Sequence, residues 1–389
     1  MLHADWQRVR AACPERRHKR PLTRLSPAQP RQRDPMAHIA YFLHGRGRGH
    51  AARSLPIVRA MRESGHRVSL YGGGDALDLT QPDDAMQPCT PVLPGTRVLA
   101  CAWRRVREDL HRLNGADVVV SDGDMPSLIA ARWRGVPSIA VGHELVFSDC
   151  RLPKELPKGA IAYQRANTWH SAALPTRSVA VHFLAIEPAH RNVIVARPEL
   201  ALPRLPTCED PLLCVAYFRD ANGDDALRAA VENGLRVICF GPAKTVVPGV
   251  EYRAFDAHGF AAQLASCRAV MCSSGSNLLA ECVQLQKPFL AFYRENDAEQ
   301  RLNALLCERA GVAIASEFRD ARMSVAQFRY RLDRNDFLTY PLADALPPVT
   351  DVVRLTVEEV VAAQRQRLVA RTGSCRVLPA ATSVPSPRA

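Results

Sequence analysis

The feature that most constrains this chain is an alternation, beginning at His38, of short apolar runs with amphipathic stretches that close on glycine. Ile39 to Leu43 reads as a strand, Ala51 to Ser64 as a helix closed by Gly65, and Arg67 to Tyr71 as the next strand. Asp117 to Ser121, a helical Pro126 to Arg134 closed by Gly135, and Pro137 to Val141 continue the series. Strands that are apolar throughout and separated by helices belong to a parallel sheet covered on both faces, so an α/β fold is expected. At 389 residues the chain exceeds the roughly 250 to 300 residues at which single cores stop growing.

Prolines crowd between Glu187 and Pro211, and the alternation then restarts. Strands are read at Leu212 to Phe218, Arg236 to Phe240, Ala269 to Cys272 and Pro288 to Phe292. Helices are read at Asp225 to Asn233, Phe260 to Cys267, Asn277 to Gln286 and Ala298 to Ala310. The expectation is two Rossmann-like, doubly wound α/β domains facing a cleft, at 36–195 and 212–350, joined by a Pro-rich linker at 196–211. A terminal helix at 351–370 follows. Residues 1–35 and 371–389 lack a sustained apolar period and are expected to be a disordered basic extension and a disordered tail.

Locating the net charge of +12 removes the obvious inference from it. Six of those charges fall in residues 1–35 and five in 365–389, so the body is nearly neutral. With 6% aromatic residues and no basic-aromatic face, it is not expected to bind nucleic acid. The 12 cysteines include no CxxC pair and sit singly in apolar runs such as Cys101, Cys214, Cys239, Cys272 and Cys282, as buried reduced thiols do. No stretch approaches ~20 apolar residues, and the first residues lack a signal-peptide apolar segment, so a cytoplasmic location is expected.

The segment from His44 to His50, HGRGRGH, joins the first strand to the first helix. As a dinucleotide fingerprint it fails: the third glycine of GxGxxG would fall at His50, and no acid follows the next strand at Tyr71. No cofactor is therefore expected. Gly47 and Gly49 let a ligand approach the backbone, and His50 falls at the carboxyl edge of the sheet, where it either caps the helix or takes a proton. Asp122 follows the strand Asp117 to Ser121 and reaches the same edge, so a His50–Asp122 dyad is plausible. Asp122-Gly123-Asp124 also spells DxD, but a lone triplet of this kind more often marks a turn, and no metal site is expected. His143 and Glu144 follow the strand ending at Val141 and are candidates for an acceptor pocket.

In the second half, Ala269 to Asn277 reads AVMCSSGSN, a strand passing through small residues into a helix whose free amides can hold a phosphate. Glu281 lies one turn beyond Asn277. The next strand leads into Asp297-Ala-Glu299-Gln300-Arg-Leu-Asn303-Ala304. This succession resembles the donor half of the GT-B glycosyltransferases, most closely the branch containing the peptidoglycan N-acetylglucosaminyltransferase and related bacterial family 1 and 28 enzymes. It spans about Met36 to Phe318. The serine-glycine loop is matched at Ser274 and Gly275, the helix glutamate at Glu281, and the D-x-x-Q-x-x-N-A run at Asp297, Gln300, Asn303 and Ala304.

The resemblance implies a glycosyltransferase that uses a nucleotide-sugar donor, UDP-linked, in cell-envelope or surface glycan synthesis. Ser274, Gly275, Ser276 and Asn277 would hold the diphosphate, Glu281 the ribose, and Asp297, Glu299 and Gln300 the donor sugar, with Asp256 to His258 near the base. Relatives often carry a glycine-rich loop where this chain has Phe218 to Gly223, so Arg219 would replace one phosphate contact. They pair two glutamines where this chain has Glu299 and Gln300. The rival expectation is a hydrolysing UDP-sugar epimerase on the same fold. The acceptor is unassigned. A lipid-linked one would bring the enzyme to the inner membrane face, where Trp103, Arg104, Arg105, Arg107 and Arg112 could meet anionic lipid, although a solvated helix face explains them as well.

Overall fold

In the computed structural model, residues 36–373 are described except 46–47, 93–96, 201, 203–209, 220–222 and 242–244, and Ala37–Ala389 form one compact unit. The expectations for 1–35, for Gly47 and for half of the Pro-rich linker therefore lie outside the described residues.

The first half opens with β1 (His38–Leu43), α1 (Arg48–Glu63), β2 (Arg67–Gly72) and a two-residue β3 (Gln87–Pro88). There follow α2 (Val98–Arg112), β4 (Val118–Asp122), α3 (Met125–Arg134) and β5 (Ser138–Gly142). Short helices at Leu145–Asp149, Lys158–Asn167 and Trp169–Ala173 lead to β6 (Arg177–Val181) and β7 (Val193–Ala196). All seven strands are parallel, in the order β3-β2-β1-β4-β5-β6-β7.

A six-stranded sheet, also parallel, forms from β8 (Leu213–Tyr217), β9 (Arg236–Phe240), β10 (Val250–Arg253), β11 (Ala269–Ser273), β12 (Phe289–Tyr293) and β13 (Ala313–Glu317), in the order β10-β9-β8-β11-β12-β13. Its helices include Asp224–Glu232, Ala257–Ser266, Ser276–Gln284, Ala298–Arg309 and Ala321–Asp333. Both sheets reverse strand order once, between β1 and β4 and between β8 and β11. In open α/β sheets such a reversal opens a crevice at the carboxyl ends of the strands, which is where ligands bind.

Each sheet is buried on both faces, which explains the apolar strands. On one face of the first sheet Ala40, Phe42 and Val119 pack on Val106 of α2 and Ala130 of α3. On the other, Ile39, Tyr41, Val118 and Val120 meet the last helix, Val349–Gly373, through Val353, Val357 and Val361. That helix begins two residues earlier than expected and runs three residues into the segment expected to be disordered. It follows the second sheet in sequence yet packs on the first: the amides of Arg197 and Val349 bond across to the carbonyls of Pro347 and Arg197, both at 2.9 Å, where the chain leaves the first half and returns to it. A third apolar cluster joins the halves, with Phe147, Phe183 and Leu184 in the same cluster as Val215, Phe240 and Leu279.

The short strands β3, β6, β7, β10 and β13 and the helix α2 were not legible beforehand. β6 opens on the polar pair Arg177 and Ser178 and β7 holds four residues, and they lie among Pro175, His182, Pro188 and His190, so neither shows a sustained apolar run.

Candidate functional site

The register between β1 and β4 sets Leu43 opposite Asp122, so the loop after β1 and the end of β4 emerge together at the switch point of the first sheet. The His50 Nδ1–H donates to Asp122 Oδ1 at 2.7 Å. A carboxylate only accepts, so this bond places the ring hydrogen on Nδ1 and leaves Nε2 as the basic nitrogen. Gly123 turns with φ at 71°, and a methyl added there would meet His50 Cε1 at 3.1 Å, so the turn supports the ring from below.

Two residues of this cluster escaped the sequence reading. Arg53 Nε donates to Asp122 Oδ2 at 3.0 Å and its Nη2 to Oδ1 at 2.5 Å, while Ser54 Oγ donates to Oδ2 at 2.6 Å and accepts from Tyr41 Oη at 3.0 Å. Spacings of three and four residues from His50 place Arg53 and Ser54 on its face of α1. Burial alone would raise the Asp122 pKa, but Arg53 and then His50 override it and hold the carboxyl well below its usual range. For His50, burial opposes the charged ring, yet the Asp122 carboxylate outweighs it and the pKa lies above the ordinary value. Burial, with the Asp122 charge added, raises the pKa of the nearby Glu144.

The other carboxylate of the DxD triplet serves the fold. Asp124 accepts from the Ser127 amide at 3.2 Å to cap α3, and pairs at 3.3 Å with the fully buried Arg105. Arg105 thus belongs to the interior and not to a surface patch.

Across the cleft, the loop after β11 enters the helix Ser276–Gln284, which has Gly275 at its N-cap and no side-chain cap. The cradle is narrower than expected. The amide and hydroxyl of Ser274 both donate to the Phe292 carbonyl, at 2.9 and 2.8 Å, and the Gly275 amide to the Ser273 carbonyl at 2.8 Å. Three donors of that loop are therefore committed to the fold. The amides of Ser276, Asn277 and Leu278 open the helix, and amides there have no intrahelical acceptor. Gly275 has an ordinary φ of −72° and open space where a side chain would stand, so backbone conformation does not demand glycine there. A methyl at Gly49 would meet the Asn277 side-chain nitrogen at 3.0 Å, so the two loops face one another closely.

Glu281 is half-buried, and burial pushes its carboxyl up to about 7. Asp297 caps the helix Ala298–Arg309 by accepting from the Gln300 amide at 3.1 Å, and Gln300 Nε2 donates to its other oxygen at 2.9 Å. Gln300 is thus tied to Asp297 in this state, while Glu299 is half-buried. Arg219, exposed after β8, lies 3.9 Å from Asp297. Asp256 accepts from the amides of His258 and Gly259 at 3.2 and 2.9 Å, capping the helix Ala257–Ser266. His143 is buried between the halves and, with Arg53, Ser276 and Asn277, lines a small cavity there.

Two parallel sheets, each carrying a loop site at its switch point and facing a common cleft, define a GT-B fold. The chain belongs to glycosyl transferase family 1, whose model matches residues 96–333. A curated relative, an uncharacterized glycosyltransferase of Methanosarcina acetivorans, is 27% identical over 124 residues; the match covers 27% of this chain and 32%, about a third, of the relative's length. Among solved structures, MurG of Acinetobacter baumannii superposes with a TM-score of 0.62 at 13% identity, covering 84% of this chain and all of MurG. The kitacinnamycin glycotransferase gives 0.57 at 19% identity over 84% of this chain and all of that one. The Streptomyces sp. SF2575 glycosyltransferase SsfS6, complexed with thymidine diphosphate, gives 0.52 at 17% identity over 83% of this chain and 99% of its own.

Proposed function

We propose that this chain transfers a sugar from a nucleoside diphosphate sugar to an acceptor hydroxyl by one inverting displacement. The observation that carries this reading is the pairing across the cleft: a histidine with its basic nitrogen free and its other nitrogen fixed by Asp122, facing helix amides that suit a diphosphate. In the reaction, His50 Nε2 takes the acceptor's hydroxyl proton as that oxygen bonds to the anomeric carbon. The bond from that carbon to the diphosphate oxygen breaks on the opposite face, and the nucleoside diphosphate leaves with the electron pair. The resulting imidazolium is stabilised by Asp122, and the leaving charge by the amides of Ser276 to Leu278 together with Arg219. Glu281 receives the ribose hydroxyls, and Glu299 and Gln300 the donor sugar once Gln300 turns from Asp297.

The resemblance points to uridine as the donor base; thymidine diphosphate bound to SsfS6 makes the thymidine form the other base to test. For the acceptor we favour a lipid-linked hydroxyl reached from the inner membrane face. Leu99, Trp103 and Trp133 are exposed on α2 and α3, the two indoles meet edge to face at 5.3 Å, and Arg107 lies 5.7 Å from the Trp103 ring. Arginine and tryptophan so placed suit an anionic bilayer surface. No helix among the described residues is long and apolar enough to cross a membrane.

The test is nucleoside diphosphate release from UDP- and thymidine diphosphate-linked sugars, with and without lipid-extracted acceptors. Release that depends on acceptor supports transfer. An altered sugar released from UDP-N-acetylglucosamine without acceptor would instead establish the hydrolysing epimerase.

A further inference from the structure

A line of buried hydrogen bonds runs from the first half of the chain to the candidate diphosphate loop of the second. His143, just past β5, sets Nδ1 3.0 Å from the Val181 carbonyl and Nε2 2.7 Å from Asn303 Oδ1. Asn303 Nδ2 donates at 3.2 Å to the Ser274 carbonyl. His143 and Asn303 are 5% and 0% exposed, so water does not compete for these bonds. The Ser274 carbonyl fixes which way the Asn303 amide points, since turning it over would set two oxygens against each other. Asn303 Oδ1 therefore faces His143, whose Nε2 must donate. Phe183 stacks on the ring at 5.6 Å and Phe147 meets its edge at 5.4 Å, which holds it in place.

We infer that His143 is a positioning residue: through Asn303 it holds the Ser274–Gly275 peptide, and so sets the direction of the Ser276 amide that would meet the diphosphate. The reason lies in Gly275. It has no side chain to restrict it and no neighbour where one would stand, so the orientation of the Ser274 carbonyl governs the amides that follow. The Ser274 amide and hydroxyl hold that residue from the β12 side, and Asn303 holds its carbonyl from the other. A side chain of the first half thus prepares the donor site of the second, and donor affinity depends on the two halves being in register.

This inference rests on the donor-loop reading above, and calorimetric titration of the full chain with UDP and with thymidine diphosphate separates the two. In H143A the loop regains about one residue's worth of backbone freedom, so affinity should fall roughly 5- to 30-fold. N303A should fall similarly, and the double variant no further than the weaker single, because both remove one relay. H143Q, whose side-chain amide can still donate to Asn303 Oδ1, should recover most of the loss, a rescue that loss of packing alone would not give. In turnover the donor KM should rise by a larger factor than kcat falls. If wild type binds neither nucleotide, the donor-loop reading and this inference fall together. If wild type binds and H143A binds equally well, or the two single losses add, this inference alone is overturned. Should H143A not fold, H143Q and N303A decide it: H143Q must bind within a few-fold of wild type and N303A must not.

Discussion

Asp122→Asn is the sharpest test of the first-half cluster, because the carboxylate is asked to satisfy four donors at once. His50 Nδ1, Arg53 Nε, Arg53 Nη2 and Ser54 Oγ all point hydrogen at its two oxygens. An asparagine keeps one accepting oxygen and turns an NH2 toward the donors at the other position, so about half of these bonds are lost. The charge is lost as well, which leaves Arg53, 9% exposed, as an uncompensated buried cation. Removing one partner of a buried ion pair costs about 3–5 kcal/mol. In a chain of this size each kcal/mol moves the melting temperature by roughly 1–2 °C, so a fall of about 3–10 °C is expected. The loss should also depend on pH. The His50 pKa is raised in the folded state, so the stability it contributes is fully present below the unfolded value of about 6.5 and disappears as pH rises through the folded value. Asp122 has a depressed pKa; its own contribution is present above about 3.9 and constant over the neutral range. The gap in unfolding free energy between wild type and D122N, measured in urea, should therefore be larger at pH 5.5 than at pH 9. Glu144 pushes the same way, since part of what raises its pKa is the charge on Asp122. A gap below about 1 kcal/mol, or one that is flat with pH, would refute the claim that Asp122 is the shared anion of His50 and Arg53.

Other consequences separate binding from chemistry. His50→Ala should leave nucleoside diphosphate affinity nearly intact and cut transfer by about 10² to 10⁴-fold, read from initial rates at saturating donor; unchanged turnover removes His50 as the base. Ser276→Pro deletes one amide hydrogen at the first helical position, where proline fits, and Gly275 before it already has the extended φ and ψ of −72° and 135° that proline requires. The helix should persist while diphosphate affinity drops about 10- to 100-fold, as expected for a hydrogen bond to a charged group; unaltered affinity places the phosphate elsewhere. With the Glu281 carboxyl at about 7, nucleotide affinity should rise as pH rises through neutrality and the carboxylate forms, and Glu281→Gln should flatten that dependence; calorimetry at pH 6 and pH 8.5 decides. Trp103→Ala with Trp133→Ala should reduce sedimentation with anionic vesicles and leave release of nucleotide to a soluble acceptor analogue unchanged.

What the sequence displayed and what it hid follow from how far each contact reaches. The central strands were legible because burial on both faces leaves an apolar run, as in the three valines that open Val118–Asp122 and throughout Phe289–Tyr293. His50 and Asp122 were legible as a pair because both fall at the sheet's carboxyl edge, His50 past the loop that follows β1 and Asp122 at the end of β4, although 72 residues separate them. Arg53 was hidden since one of four arginines on an amphipathic helix reads as solvated, and the placement of β4 beside β1 gives it a buried partner. The phosphate cradle was half-read. A small-residue loop before a helix announces free amides, but which ones remain free depends on the Phe292 carbonyl of the neighbouring strand, which takes the Ser274 amide and hydroxyl, and on the Ser273 carbonyl, which takes the Gly275 amide. The partner of His143 lies 160 residues away in the other half, and no local pattern could have announced it.

Under the proposed mechanism, the two switch points keep apart two sites with opposite electrostatic needs. A base must be partly desolvated and held by a buried anion, which Asp122 supplies together with a compensating Arg53. A diphosphate site needs the reverse, a local excess of positive potential, which uncapped amides at a helix start supply. Built on one sheet edge, the anion of the first would lie against the second. Set on separate sheets, each keeps its own electrostatics, and the two loops approach one another where Gly49 faces Asn277. A side chain at position 49 should therefore act on both at once: Gly49→Val would press on the Asn277 amide and should lower nucleotide affinity and transfer together, whereas His50→Ala lowers transfer alone. If G49V leaves binding intact while abolishing transfer, the close approach of the loops does not reach the donor site, and the division of labour proposed here would need a different contact to join its parts.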